Sequence, residues 1–130
     1  MNGASLLLSV AAISAGASLG ALLRWVLGLQ LNHILPSLPL GTLAANLLGG
    51  YLVGLILGWL GQHPELSPQV RLFLVTGLMG GLTTFSTFSA EVVNHLVHGR
   101  HGWAIAIAVT HLTGSLLLTA LGLATVGALD

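Results

Sequence analysis

The stretch Gly77–Ser89, GLMGGLTTFSTFS, lies inside the third apolar block of the chain. It places Gly77, Gly80 and Gly81 ahead of a run of threonines and serines that alternate with phenylalanines. Glycine is unfavourable inside a helix, and Ser and Thr compete for backbone hydrogen bonds, so the stretch predicts an interrupted helix. Irregular backbone is tolerated at membrane depth only where it is buried in protein or lines a wet cavity. The interruption therefore predicts a functional site.

The composition predicts an all-α integral membrane protein. Of 130 residues, 55% are apolar and 5% are charged, and 3 basic side chains balance 3 acidic ones. We expect a single transmembrane domain over residues 1–130 with the lipid bilayer as its surroundings. Nucleic acid is not an expected partner because a positive excess is absent. The chain has no cysteine, which excludes disulfides, thiolate metal sites and cysteine nucleophiles.

Apolar blocks of about 20 residues are long enough to cross a bilayer as helices. We predict transmembrane helices over about 4–29, 40–60, 68–97 and 103–128. The first block could instead be a signal peptide, but no basic segment precedes it. In that block Gly16 and Gly20 form a GxxxG pair, which indicates close contact with another helix.

Several polar side chains fall within the predicted spans. Asn46 needs a partner at membrane depth, either in an interhelical hydrogen bond or along a permeation path. In the last span His111, Ser115 and Thr119 recur at helical spacing and form a polar stripe that should face protein or water. Arg24 either anchors the first span at the interface or lies in a wet vestibule, where its charge would attract anions.

His95, His98 and His101 recur every three residues beside Gly99 and Arg100. Two interpretations are open, a metal site or histidines at a solvated helix end. The spacing drifts off one helical face, and no thiolate accompanies the histidines, which favours the solvated helix end.

The distribution of arginines says little about orientation. Arg71 would lie on one side of the membrane, and Arg100, with Arg24 if it reaches water, on the other. With such a small charge bias, the positive-inside rule allows insertion both ways. Because the chain is also too small for a pore of its own, we predict an antiparallel homodimer that brings two helix breaks together.

The residues around the predicted break offer neutral hydrogen-bond donors and aromatic edges, which suit an anion better than a cation. A cation pathway would require carboxylates or converging carbonyls along its length. Carbonyls freed by two breaks on a symmetry axis could nevertheless hold a structural cation such as Na⁺. Ordinary core packing remains an alternative role for Phe85 and Phe88.

Three segments, Gly16–Trp25, Gly41–Gly54 and Gly80–Glu91, closely resemble the Fluc, or CrcB-type, family of fluoride channels. The last of them reads GGLTTFSTFSAE and is highly specific. The resemblance implies a dual-topology antiparallel homodimer in the inner (plasma) membrane, with two fluoride pores. Such a channel exports cytoplasmic fluoride passively and confers fluoride resistance.

The resemblance also assigns roles along the predicted pore. Phe85 and Phe88 would form an aromatic box that contacts fluoride, and Asn46 would be an amide donor near the pore. Thr84 and Ser115 resemble parts of a hydroxyl track.

Further roles follow from the same resemblance. Arg24 resembles the vestibule arginine, and the backbone carbonyls of Gly80 and Thr83 would hold a central Na⁺ at the dimer interface. His111 departs from the pattern because similar proteins usually have a hydroxyl residue there. Its imidazole could add a donor, narrow the path or make flux depend on pH.

Other classes of protein fit less well. A small dual-topology multidrug/proton antiporter would need an acid within the membrane, and the first span has none before Arg24. An assembly subunit without transport activity would leave the polar, broken third span unexplained. We do not expect an enzyme, since paired carboxylates, a Ser/His pair at defined spacing and a metal cluster are missing from the sequence pattern.

Overall fold

In the computed structural model, which describes residues 2–129, the chain forms helices joined by short loops. Met1 and Asp130, which the predicted domain 1–130 includes, lie outside the described residues. The helices are α1 (Gly3–Leu31), α2 (Leu40–Gln62), α3 (Pro68–Arg71), a π-helical segment (Leu72–Met79), α4 (Gly80–Leu82), α5 (Ser86–Val97) and α6 (His101–Ala128).

These elements make up four spans that are long and apolar enough to cross a membrane: Gly3–Leu31, Leu40–Gln62, Pro68–Val97 and His101–Ala128. The prediction of an all-helical membrane protein with an interrupted third span is confirmed. Helix α1 continues beyond Arg24 to Leu31, so the arginine lies within the helix and not at its end.

The third span begins with a side-chain cap. The Ser67 hydroxyl accepts a hydrogen bond from the Val70 N–H, and Pro68 occupies the first turn. Proline suits this position because the first amides of a helix have no intrahelical acceptor. The π-helical segment that follows was not predicted, since nothing in its apolar sequence distinguishes π from α geometry.

Close glycine contacts hold the first and third spans together. A Cβ atom built on Gly77 would lie 3.0 Å from the Gly16 Cα, and one built on Gly81 would lie 3.0 Å from the Ala17 Cα. The predicted contact at Gly16 and Gly20 is therefore confirmed. Helices α2 and α6 pack in the same way, since a Cβ on Gly54 would lie 2.9 Å from the Gly122 Cα.

The interruption lies at Thr83–Phe85, between α4 and α5. Thr83 adopts an extended conformation, with φ −83° and ψ 154°. The break predicted within Gly77–Ser89 is present, and it falls on the hydroxyl residues, because helical geometry continues through Gly80 and Gly81. Gly77 and Gly81 pack closely against α1, whereas a Cβ atom built on Gly80 would come no nearer than 3.8 Å to the atoms around it.

Candidate functional site

Asn46 on α2 compensates for the backbone hydrogen bonds that the break removes. Its Nδ2 donates to the Thr84 carbonyl at 2.9 Å, and its Oδ1 accepts from the Thr84 N–H at 2.8 Å. A side-chain amide can make this reciprocal pair because it carries a donor and an acceptor side by side. Asn46 thereby fixes the conformation of the break against the second span.

Arg24 satisfies another backbone group at the break. Its Nε donates to the Gly81 carbonyl at 3.0 Å, across 57 positions in the sequence. In a continuous helix this carbonyl would accept from the Phe85 N–H. The half-buried guanidinium is therefore held against the backbone of the third span, a contact that an interfacial anchor alone would not make.

Two further carbonyls lose their ordinary helical donors at the break. The Thr84 N–H, which would donate to Gly80 in a continuous helix, donates to Asn46 instead. The Thr87 N–H, which would donate to Thr83, donates to the Thr84 hydroxyl at 3.1 Å. The break thus releases the carbonyls of Gly80 and Thr83 from the helical pattern.

Aromatic rings lie beside the break. The rings of Phe85 and Phe88 meet edge to face, with centroids 5.6 Å apart. The Phe88 ring also lies against the imidazole of His111 on α6, with centroids 4.8 Å apart. Phe85 is 80% exposed, so this ring projects from the surface of the single chain. Packing in the core of a single chain therefore does not explain the position of the Phe85 ring.

A cavity of about 560 Å³ collects most of the predicted pore residues from α2, the break and α6. The predicted residues that line it are Asn46, Thr83, Thr84, Phe85, Phe88, His111 and Ser115. Gly50 and Thr119 also belong to this surface.

Arg24 lies outside this cavity and lines a separate one of about 340 Å³ with Asn32, Thr42, Thr84 and Thr87. Thr84 lines both cavities, so the break separates the arginine side from the aromatic side. Irregular backbone at membrane depth is tolerated where it lines cavities of this kind.

The histidines near the end of α5 do not converge on one point. His95 is buried, its Nε2 lies 2.6 Å from the Ser37 carbonyl, and its Nδ1 accepts from the Arg100 Nε at 2.8 Å. His98 is exposed, and its Nδ1 lies 2.8 Å from the Asn94 carbonyl. Within residues 2–129, no group of three or more His, Asp or Glu side chains is placed to hold a metal ion.

Sequence reasoning missed the partners that connect these residues. It did not identify Gly81 as the acceptor for Arg24 or the Thr87 N–H as the partner of the Thr84 hydroxyl. Position alone could have indicated Thr84 as a cap, because it lies just before the second half of the third span.

Comparison with known proteins identifies the family. Residues 11–123 match the model described as "CrcB-like protein, Camphor Resistance (CrcB)". The chain belongs to the CrcB-like family. This confirms the resemblance found from the sequence segments.

Members of the family with similar sequences are named as channels and not as enzymes. A protein of Paraburkholderia phymatum is 53% identical over 119 residues, covering 92% of this chain and 94% of its own length. A protein of Burkholderia vietnamiensis is 58% identical over 120 residues, covering 92% and 94%. One of Pseudomonas paraeruginosa is 59% identical over 115 residues, covering 88% and 91%. Each is named "Fluoride-specific ion channel FluC".

Proposed function

We propose that this chain forms a fluoride-selective channel that lets cytoplasmic fluoride leave the cell passively through the inner membrane. The names of its relatives support this function. The observation that carries the proposal is the cavity beside the break, where aromatic, amide and hydroxyl groups from separate spans are gathered.

The chemistry of this cavity favours a small anion. The described lining includes no carboxylate, and its polar residues are Asn46, Thr83, Thr84, His111, Ser115 and Thr119. Hydroxyl and N–H groups donate hydrogen bonds, and the edges of phenylalanine rings carry partial positive charge. Fluoride is a small, strongly hydrated anion, so converging donors are needed to replace its water.

An antiparallel homodimer would complete the path. Phe85 is 80% exposed beside the cavity, so its ring is free to contact a second copy of the chain. A second, inverted copy would cover these rings and turn each open cavity into an enclosed pore. One dimer would then hold two pores related by a two-fold axis in the membrane plane.

Sodium is the cation we propose at the centre of that dimer. The carbonyls of Gly80 and Thr83, whose helical donors are redirected to Asn46 and Thr84, are suitable oxygen ligands. Na⁺ would supply a fixed positive charge that holds the two breaks together. Two copies of the chain would double the number of available carbonyls.

Anion efflux from liposomes tests the function directly. Purified protein would be reconstituted in vesicles loaded with potassium fluoride and potassium chloride, and both anions would be followed with ion-selective electrodes after a potassium ionophore is added. We expect rapid loss of fluoride with chloride retained. Retention of both anions, or release of both at similar rates, would refute the proposal.

The orientation can be tested with a single introduced cysteine, because the natural chain has none. Glu65→Cys places a thiol in the loop between α2 and α3. In intact cells, a membrane-impermeant thiol reagent should label about half of the molecules if both orientations occur. Labelling of all or none would contradict the antiparallel dimer.

A further inference from the structure

The turn that follows α5 brings Arg100 back over His95. Gly99 in this turn has a φ of 73°, and its N–H donates to the Leu96 carbonyl at 3.1 Å. The Arg100 N–H donates to the His95 carbonyl at 2.8 Å, which completes a Schellman motif. The Arg100 side chain returns over the same residue, and its Nε donates to His95 Nδ1 at 2.8 Å. The backbone and the side chain of Arg100 therefore both bond to His95.

These contacts determine which ring nitrogen of His95 carries the proton. A guanidinium N–H donates hydrogen bonds and cannot accept them, so Nδ1 is the acceptor. The proton of the neutral imidazole therefore resides on Nε2, which lies 2.6 Å from the Ser37 carbonyl and donates to it. His95 is only 5% exposed, and both of its nitrogens find their partners within the protein.

The hydrogen bond to Ser37 joins the end of α5 to the connection between α1 and α2. The other end of α5 is held through Thr84, just before its first turn, by the two bonds that Asn46 on α2 makes. The body of the helix packs against α6. His95 is therefore the contact that fixes the far end of α5 to the part of the chain before the third span.

Helix α5 also carries Phe88, whose ring lines the cavity beside the break. Phe88 and His95 are two helical turns apart and share one face of the helix. A displacement of α5 would move the Phe88 ring away from the Phe85 ring, which now lies 5.6 Å from it between centroids. The contact at His95 therefore bears on the geometry of the aromatic side of the cavity.

A second proton on His95 would disrupt this contact. It could enter only at Nδ1, where it would point at the Arg100 Nε–H, so that two donors and two positive charges would face each other. Among residues 2–129, Glu91 and Arg100 are the charged side chains that line the cavity of about 260 Å³ beside His95. Glu91 would attract the imidazolium while Arg100 repels it, so both charges favour a new position. The groups that face His95 from the other elements, the Ser37 carbonyl and the Trp103 indole on α6, do not titrate.

We infer that His95 is a positioning residue of the channel: its neutral imidazole holds α5 where the Phe88 ring lines the path, and a proton on Nδ1 releases this helix. The inference rests on the proposed fluoride channel and adds to it a control by pH. Because an imidazole takes up its second proton between about pH 5 and about pH 8, mild acid should slow fluoride efflux.

Efflux from liposomes at about pH 7.5 and at about pH 5.5 tests the release. Efflux from protein-free liposomes would be subtracted, because hydrogen fluoride crosses lipid unaided. We expect the natural chain to lose about tenfold in rate at the lower pH. His95→Gln retains an N–H near the position of Nε2 for the Ser37 carbonyl but cannot be protonated, so its rate should stay within about twofold between the two conditions.

His98→Gln is the matched control, because His98 is exposed on the same turn and its removal should leave the pH profile of the natural chain unchanged. His95→Leu removes both nitrogens and should slow efflux about tenfold at either pH. A natural chain whose efflux falls no more in acid than that of His95→Gln would overturn the inference.

The proton positions can be observed in the natural chain, so the test does not depend on whether His95→Leu folds. Nitrogen-15 spectra of histidine-labelled protein in bilayers distinguish protonated from unprotonated ring nitrogens, and the spectrum of His95→Gln identifies the His95 signals by difference. We expect only Nε2 to be protonated at about pH 7.5 and both nitrogens at about pH 5.5. A protonated Nδ1 at the higher pH, or a neutral ring at the lower one, would overturn the inference.

The outcomes also separate this inference from the proposed function. If the natural chain releases no fluoride from liposomes at about pH 7.5, the channel itself is refuted. If it releases fluoride with the same pH profile as His95→Gln, only the role of His95 fails.

Discussion

The side-chain amide of Asn46 makes with Thr84 both hydrogen bonds that a neighbouring peptide group would make, at 2.9 Å and 2.8 Å. The pair joins the second span to the interruption in the third. In hydrocarbon, each peptide group left without a partner costs several kcal/mol, so a break needs such a substitute. One asparagine therefore stabilises the irregular backbone, and its amide nitrogen also lies 2.9 Å from His111 Nδ1.

We expect Asn46→Leu to destabilise the protein, because the Thr84 N–H and carbonyl would both lose their partner. Each unsatisfied buried group costs about 1–3 kcal/mol. Thermal unfolding in detergent would measure the change. Asn94→Leu on α5 is the matched control, since Asn94 is exposed and should leave the unfolding temperature nearly unchanged. Equal unfolding temperatures for the two variants would contradict this role of Asn46.

Gly81→Ala should separate the first and third spans. The added Cβ would lie 3.0 Å from the Ala17 Cα and from the Ala21 backbone nitrogen, and backbone atoms cannot move aside as a flexible side chain can. We expect a loss of about 1–3 kcal/mol in unfolding free energy, as in other overpacked interiors. Gly61→Ala is the control, because its Cβ would meet nothing within 4 Å among residues 2–129. A Gly81→Ala protein as stable as Gly61→Ala would show that these helices are not tightly packed.

The existence of the break followed from residue types, but its position and partners did not. Glycines and hydroxyl residues both predicted an interruption, and sequence alone could not separate the glycines that pack against α1 from the threonines that leave the helix. Arg24 and the Gly81 carbonyl are 57 positions apart, and their contact depends on how two helices pack. The cavity residues were easier to predict, because a polar side chain within a membrane span must face protein or water.

Phe85→Ile and Phe88→Ile should slow fluoride efflux while leaving the dimer intact. The substitution keeps an apolar side chain but removes the electropositive ring edge that would face the anion. Efflux from liposomes and the elution volume of the purified protein are the measurements. The third phenylalanine, Phe73, lies in the π-helical segment and outside the cavity beside the break, so Phe73→Ile is the control. Unchanged efflux in both cavity variants would assign these rings to packing alone.

Removing sodium should destabilise the assembled protein, because an ion that binds only the folded dimer shifts the equilibrium by mass action. At a sodium concentration about 100 times its dissociation constant, the stabilisation would be ~2.7 kcal/mol. Unfolding temperatures would be compared in sodium chloride and in N-methyl-D-glucamine chloride at equal ionic strength. The same unfolding temperature in both salts would count against a cation held by the carbonyls of Gly80 and Thr83.

Arg24 is expected to have two effects: its charge attracts anions toward the break, and its Nε donates a hydrogen bond to the Gly81 carbonyl. Two variants distinguish these effects. Arg24→Met removes both the charge and the hydrogen bond, so fluoride efflux should fall on the order of tenfold at low ionic strength. The difference from the natural chain should become smaller at higher salt concentration, because salt screens the attraction between the arginine charge and the anion. Arg24→Lys keeps the charge in the cavity beside Thr84 and Thr87 but loses the planar donor. We therefore expect Arg24→Lys to retain the salt dependence of the natural chain. If efflux through Arg24→Met fell by the same factor at every salt concentration, the arginine would act through the Gly81 carbonyl alone.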